Sequence, residues 1–281
     1  MKQAILTVLT VLSLTACNKV DYQTSTSGLV YKVFTGKGGE KPTASDYIKY
    51  DMEYRLTAKN DSLLNTTFGS FPGYAKVDTS KNAAYSFMEL VPKFSPGDSA
   101  EILISIDTLK NRGLIPDYNA MFTKGGSIKC KFKLLKVFKT DSAVKADYDN
   151  EIEIVKATES KQIEDYLAKN NIKAFKTPGG TYVSIENAGD TSVTADSGYT
   201  ASVMYRGSLL TNGKVFDTNM DTTKGHTDPY PVAVGQPGII EGWMQALPYF
   251  GKGTKGKIFV PAMNAYGPQA QGADIPAFSN L

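Results

Sequence analysis

The stretch PGIIEGWMQALPYFGKGTKGKIFVP, residues 237–261, decides how this chain is built. Its second half, FGKGTKGKIFVP (250–261), lies on FSPGDSAEILIS (94–105) at a constant offset of 156 residues, and a proline stands two residues ahead of each, Pro248 and Pro92. The same offset carries Trp243, the only tryptophan, onto Phe87. A slightly different offset, 152, lays NGKVFDTNM (212–220) on NDSLLNTTF (60–68). Self-similarity at this spacing means one fold used twice. Within the stretch, Ile239, Ile240, Trp243 and Leu247 fall on one face of a short helix that Pro248 limits.

Working outward, each half carries short alternating strands separated by Gly, Asn and Asp turns. In the first they are residues 28–34, 47–56, 100–106 and 127–138; in the second, 181–187, 199–210 and 255–261. Between the halves, TESKQIEDYLAKNN (158–171) places Ile163, Tyr166 and Leu167 at i, i+3 and i+4, with Asp165 one turn before Lys169. This predicts a helical connector ending near Asn170 and Asn171, whose narrow apolar face rests on either domain or on a second copy of the chain. The 281 residues, 41% hydrophobic, suit two ordinary domains.

Composition excludes several function classes. A net charge of +3, from 31 basic and 28 acidic residues, concentrates no basic field, so nucleic acid is not an expected partner. The lysines of KCKFKLLKVFK (129–139) alternate with apolar residues and face solvent. His226 is the only histidine, which excludes a His-based triad and a multi-histidine metal site; no metal or cofactor is expected. The only cysteines are Cys17 and Cys130, the latter placed on a strand as a buried hydrophobe.

The chain opens MKQAILTVLTVLSLTAC: a lysine, an apolar run too short to span a bilayer, then small residues before Cys17. Leu14-Thr15-Ala16-Cys17 resembles the lipobox of bacterial lipoproteins; the alternative is an ordinary cleaved signal with an incidental cysteine. The resemblance implies a signal peptide over 1–16 and lipidation of Cys17, whose several acyl chains, palmitate among them, would anchor the protein to a membrane in the cell envelope. Asn18-Lys19 lacks the aspartate that retains some lipoproteins at the inner membrane, which points to the outer membrane, facing the periplasm or the cell surface.

In the second half four motifs follow in order: VMYRGSLLTNGKVFD (203–217), PYPVAVG (229–235), GIIEGWMQALPYF (238–250), and AYG (265–267) followed by Ile275-Pro276. Together they resemble the FKBP-type peptidyl-prolyl isomerases over most of residues 181–281. The resemblance implies an α+β fold: two FKBP-like domains, each an antiparallel twisted sheet wrapped on a short helix, joined by a helical linker. The expected boundaries are a tether over 17–27, a degenerate FKBP-like domain over 28–139, a linker with its helix over 140–177, and an isomerase domain over 178–281. By the same resemblance Tyr205, Phe216, Tyr230, Ile239 and Trp243 line a proline pocket with Trp243 as its floor. The Ile240 N–H and the Tyr266 hydroxyl hold substrate carbonyls, and Asp217 sits beside the twisting amide. Asp217 either touches substrate or organises the pocket tyrosines; a third reading makes it a turn carboxylate. Gln271 has no assigned role.

In the first half Leu64, Asn65 and Phe87 stand where Phe216, Asp217 and Trp243 would be, and no Ala-Tyr-Gly precedes Ile115-Pro116. A retained fold without an active site is expected there. The resemblance implies a final strand after the Ile-Pro segment, as the first half has in SIKCKFKLLKVF; the sequence stops at IPAFSNL, so the expected second domain is short of that strand. Two functions follow from the resemblance. One is an isomerase acting on proline-containing exported polypeptides and open to macrolide inhibitors; the other is a non-catalytic chaperone or adaptor lipoprotein using the same folds for binding.

Overall fold

In a computed structural model, described for residues 21–57, 61–195, 197–272 and 274–281, the chain divides into two compact units that meet in sequence between Asp141 and Ser142, with Gly69–Phe71 grouped with the second. The signal segment and Cys17 lie outside the described residues.

The first unit is a seven-stranded antiparallel sheet. Its strands are β1 (Gln23–Thr24), β2 (Val30–Phe34), β3 (Tyr47–Leu56), β4 (Ser62–Thr66), β5 (Gly73–Lys76), β6 (Ser99–Ser105) and β7 (Ser127–Phe138), with a short helix α1 (Ile106–Asn111) after β6. They run in the order β1-β2-β6-β7-β3-β4, with β5 also on β3. Alternation explains the core: Ile128, Cys130, Phe132 and Leu134 on β7 point inward beside Ile102 and Ile104 of β6 and Ile48 and Met52 of β3, while the intervening lysines face out. Cys130 is a buried thiol, its pKa pushed up to about 12 by burial.

A 29-residue helix, α2 (Asp141–Lys169), leads into the second unit. It starts 17 residues before the expected connector; its first half carries only a thin apolar line, Val144, Tyr148, Ile152 and Val155 at i, i+4, i+8 and i+11, among charged residues. Pairs such as Lys145–Asp149 and Lys156–Glu153 support it along its exposed side. Asp165 pairs with Lys161, one turn back, and not with Lys169. The apolar face has a definite seat. Ile163 and Leu167 pack with Tyr182 and Phe259 of the second unit.

That unit contains β8 (Phe175–Lys176), β9 (Tyr182–Asn187), β10 (Asp190–Thr194), β11 (Thr200–Val203), β12 (Arg206–Ser208), β13 (Val215–Thr218), β14 (Tyr230–Ala233), α3 (Glu241–Ala246), β15 (Gly251–Lys252) and β16 (Lys255–Phe259). Among the described residues the strands form four small antiparallel sheets: β16-β9-β8, β10-β15, β11-β14 and β12-β13. Val260 and Leu281 exchange backbone bonds at 2.9 and 3.0 Å and the Leu210 N–H donates to the Asn280 carbonyl at 2.9 Å, as the Thr57 N–H does to the Ser127 carbonyl where β7 begins in the first unit; the buried apolar residues form two separate clusters. The expected strand over 199–210 is broken after Val203 because Tyr205 leaves the ladder: its N–H goes to the Asn219 side chain and its carbonyl accepts from the Asn219 N–H. Gln23–Thr24, assigned to the tether, pairs with β2, and Phe175–Lys176, assigned to the linker, pairs with β9.

Each unit opens with the same turn. The Ser25 N–H donates to the Leu29 carbonyl and the Leu29 N–H to the Ser25 hydroxyl, as Thr177 and Thr181 do in the second unit. Gly28 and Gly180 close these turns at φ +88° and +97°, where a side chain would be strained. A residue from the short-helix segment locks each turn, Glu89 in one and Gln245 in the other. Glu89 accepts from the Ser27 hydroxyl, the Ser27 N–H at 3.3 Å and the Tyr85 N–H at 3.0 Å. Burial alone would raise its carboxyl, but these bonds outweigh it and hold the pKa at about 2. A folded pKa below the unfolded one stabilises the fold above the unfolded value, near 4.5, and the contribution is lost as pH falls toward about 2. Glu89→Ala is expected to destabilise the first unit by about 1–2 kcal/mol at neutral pH, allowing for solvent screening. Urea unfolding followed at first-unit amides should show variant and wild type converging as the pH is lowered through that window.

Candidate functional site

The site grows from one buried amide. Asn219, with 0% exposure, follows β13 and accepts the Tyr205 N–H at 2.7 Å, while its NH2 donates to the carbonyls of Val203 and Asp228, both at 2.9 Å. Three chain segments that share no continuous ladder are thereby held together: the β11–β12 break, the end of β13 and the approach to β14. Thr218 adds a bond from its hydroxyl to the Tyr205 carbonyl at 2.9 Å.

This framework brings the expected aromatic residues into contact. Tyr205 and Trp243 meet edge to face at 5.2 Å and 80°, Tyr205 and Tyr230 at 6.2 Å and 73°, and Tyr230 and Trp243 at 6.4 Å and 84°. Mutually perpendicular rings of this kind fit their quadrupoles. Trp243 sits on α3, half-buried, and with Ile239 packs on Val232, Val234 and Leu247. Pro248 follows in a 3-10 turn (Leu247–Tyr249) that ends the helix, as the sequence predicts. Phe216 of β13 lies over Gly207 of β12, where an added Cβ would meet its ring at 2.6 Å. Ile240 is the residue ahead of α3; its carbonyl accepts the Trp243 N–H at 3.1 Å, and its own N–H has no protein acceptor among the described residues.

Asp217 is the electrostatic centre. Its Oδ2 accepts the Tyr205 hydroxyl proton, and its Oδ1 accepts the Thr218 N–H at 2.9 Å and lies 2.9 Å from His226 Nε2. Burial works to raise this carboxyl, but the bonds from Tyr205, His226 and Thr218 outweigh it and hold it below the ordinary carboxylate range. The Tyr205 phenol is pushed well above its usual value, first by burial and then by Asp217. Tyr266, half-buried and close enough to feel Asp217 and Tyr230, is raised first by burial and then by those two charges. Its hydroxyl has no partner among the described residues, so it is free to donate.

Two members of the site escaped sequence reasoning. His226 was considered only for histidine-based catalysis, and it lies in an irregular loop with no periodicity to place it. Asn219 had a readable signal, its position two residues after Asp217, but an asparagine in a turn-rich stretch reads as a turn residue. None of the described residues forms a cluster with metal-binding composition.

The first unit shows the contrasting arrangement. The register Gly207↔Asp217 corresponds to Tyr54↔Asn65, which sets Tyr50 in the place of Val203 and Met52 in that of Tyr205. Tyr50 stacks on Phe87 at 5.2 Å and on Phe132 at 5.7 Å, and Tyr54 packs into the same core.

Three perpendicular aromatic rings, with the Tyr266 hydroxyl and the Ile240 N–H unpaired among the described residues, combine apolar faces with hydrogen-bond donors in one segment of the fold. The sequence profile described as FKBP-type peptidyl-prolyl cis-trans isomerase matches residues 191–281. The chain is 31% identical to FK506-binding protein 1 of Debaryomyces hansenii over 107 residues, 38% of this chain and 91% of that one. It is 31% identical to the FKBP-type 22 kDa peptidyl-prolyl cis-trans isomerase of Escherichia coli over 121 residues, 43% of this chain and 54% of that protein. It is 35% identical to the outer membrane protein MIP of Legionella longbeachae over 123 residues, 43% of this chain and 49% of that protein. The chain thus spans about half the length of these last two relatives. It belongs to the FKBP-type peptidyl-prolyl cis-trans isomerase family.

Asn219→Ala removes a fully buried amide and strips acceptor or donor from three backbone groups, an expected loss of about 2–4 kcal/mol. The near-ultraviolet circular dichroism of Trp243 should weaken with it, because the edge contact from Tyr205 depends on that bond.

Proposed function

We propose that the protein is a peptidyl-prolyl cis-trans isomerase acting on exported polypeptides, with its catalytic site in the second unit. The observation that carries this reading is the cup of Tyr205, Tyr230 and Trp243 with an unclaimed Tyr266 hydroxyl at its edge. Rotation about an Xaa-Pro amide meets a barrier of roughly 18–20 kcal/mol because resonance keeps the bond planar. A catalyst has only to bind the twisted amide better than either planar form. Twisting removes resonance and with it charge from the amide oxygen, so an aromatic enclosure favours the twisted state while gripping the pyrrolidine ring. No proton needs to move, which suits a site with one histidine.

The roles divide by geometry. Trp243 is the floor, with Ile239 and Phe216 beside it and Tyr205 and Tyr230 as walls. The Ile240 N–H and the Tyr266 hydroxyl take the substrate carbonyls. Asp217 has both oxygens engaged by Tyr205, Thr218 and His226, which favours the organising role over direct contact with substrate. The first unit, its equivalent space filled by Tyr50 and Tyr54, is a non-catalytic module that holds polypeptide or a partner. A lipid anchor at Cys17 would place the protein in the cell envelope, a reading that the name of the Legionella relative favours. A macrolide should compete for the cup.

The test is acceleration of Xaa-Pro isomerisation in a short peptide. Tyr266→Phe removes one hydrogen bond and is expected to lower kcat/KM about tenfold. Asp217→Ala should lower it by a similar factor, with a smaller effect on folding. Trp243→Ala should abolish macrolide binding by the whole chain, because the first unit has no open cup to take it. Unchanged turnover in all three variants would refute the site, and no acceleration by the folded wild type would shift the reading to a chaperone or adaptor.

A further inference from the structure

The helix α2 carries a carboxylate that the site described above does not use. Glu159 is 4% exposed; its Oε2 accepts the Met263 N–H at 3.1 Å, and its Oε1 is the one buried side-chain polar atom without a partner among the described residues. Burial pushes this carboxyl above the ordinary range, with the Met263 N–H and Lys156 acting the other way. An acid is not left in such a place for packing, since an apolar side chain there would avoid the desolvation cost.

Met263 is the middle of a 3-10 turn, Ala262–Asn264, that delivers the chain to Tyr266. The N–H groups at the start of any helical turn need acceptors from elsewhere. Ahead of this turn stands Pro261, which offers no side-chain cap. The first unit shows the local solution, for Ser105, the counterpart of Pro261 in the repeat, accepts the Thr108 N–H with its own hydroxyl. In the second unit both orphan donors are met from outside. Ala262 donates to Asn280 Oδ1 at 2.9 Å, the Asn280 amide donates to Gln162 Oε1 at 2.8 Å, and Met263 donates to Glu159.

Glu159, Gln162, Ile163 and Leu167 lie at i, i+3, i+4 and i+8, on one face of α2. The apolar pair fixes the helix on Tyr182 and Phe259, and the polar pair reaches the turn. We propose that Glu159 is a positioning residue for the isomerase site: by capping the Ala262–Asn264 turn from the linker helix, it sets the placement of the Tyr266 hydroxyl. This rests on Tyr266 being a site residue. Docking of α2 then becomes a requirement for full activity, although no residue of that helix touches the cup.

The test uses the full chain with Glu159→Leu, which keeps the volume and removes the acceptor, and Glu159→Gln, which keeps the acceptor. In Glu159→Leu the Met263 amide should exchange with solvent about tenfold faster, and kcat/KM should fall about fivefold to tenfold, consistent with loss of one hydrogen bond. Glu159→Gln should restore both to near the wild-type values. In a Tyr266→Phe background, Glu159→Leu should cause little further loss, because the two act through one hydroxyl. Unchanged exchange at Met263, or an equal loss of turnover with and without the Tyr266 hydroxyl, would overturn the proposal. Full turnover in Tyr266→Phe alone would instead remove the site reading, while the exchange of Met263 would still decide whether Glu159 is the cap.

Discussion

Everything at the site depends on the satisfaction of Asn219. A side-chain amide with no solvent exposure must find protein partners for its oxygen and its nitrogen, and an unpaired one would cost kilocalories. Asn219 finds them on the backbones of Val203, Tyr205 and Asp228. The solution fixes where Tyr205 leaves the ladder, and with that the edge of its ring against Trp243 and its hydroxyl against Asp217. A sheet of longer strands would have held these segments by ladder bonds, but here the strands are short and the amide takes their place. The aromatic cup is therefore a consequence of one polar constraint, and its walls cannot shift singly.

The two units show how one fold can keep a cup or fill it. In the second unit Gly207 stands opposite Asp217, and the ring of the neighbouring Phe216 uses the space that the glycine leaves. In the first, a tyrosine occupies the glycine position and a leucine the phenylalanine position, so the apolar volume has changed sides. Cores tolerate such exchanges when total volume is kept. Tyr50 and Phe87 then close the rest by stacking on Phe132. The turn that opens each unit shows the opposite tendency. Its geometry is kept to the hydrogen bond while the lock changes from a carboxylate to an amide.

Much of this was legible in the sequence, and for definable reasons. β3 and β7 match their alternation residue for residue, since both have one buried face. The expected pocket residues Tyr205, Tyr230 and Trp243 do come together, because the order of motifs identified the family and hence the architecture. What was missed had a thin periodic signal or none. The first half of α2 has one line of apolar residues, Val144, Tyr148, Ile152 and Val155, among charged ones, and two-residue strands such as β1 and β8 are too short to show a period. His226 enters the site through a loop, and Asn219 through a hydrogen-bond pattern that no spacing rule encodes. The seat of the α2 apolar face was open for another reason: three apolar positions show that a helix packs somewhere, but not on what.

That seat gives the linker helix a structural task in the second unit. In the first unit β7 supplies Ile128, Cys130, Phe132 and Leu134 to one continuous core. In the second, the cluster around Phe259 and Tyr182 takes in Ile163 and Leu167 from α2. Fully burying two aliphatic side chains stabilises by about 1.5–3 kcal/mol each, so this contact is a sizeable share of a small domain's margin. Tyr166 extends it with a ring contact to Phe259 at 5.9 Å. A connector that only spaced two domains would need none of these residues. Because the helix completes one cluster of the second unit's core, the structural boundary of that unit lies at Ser142, well ahead of its first strand.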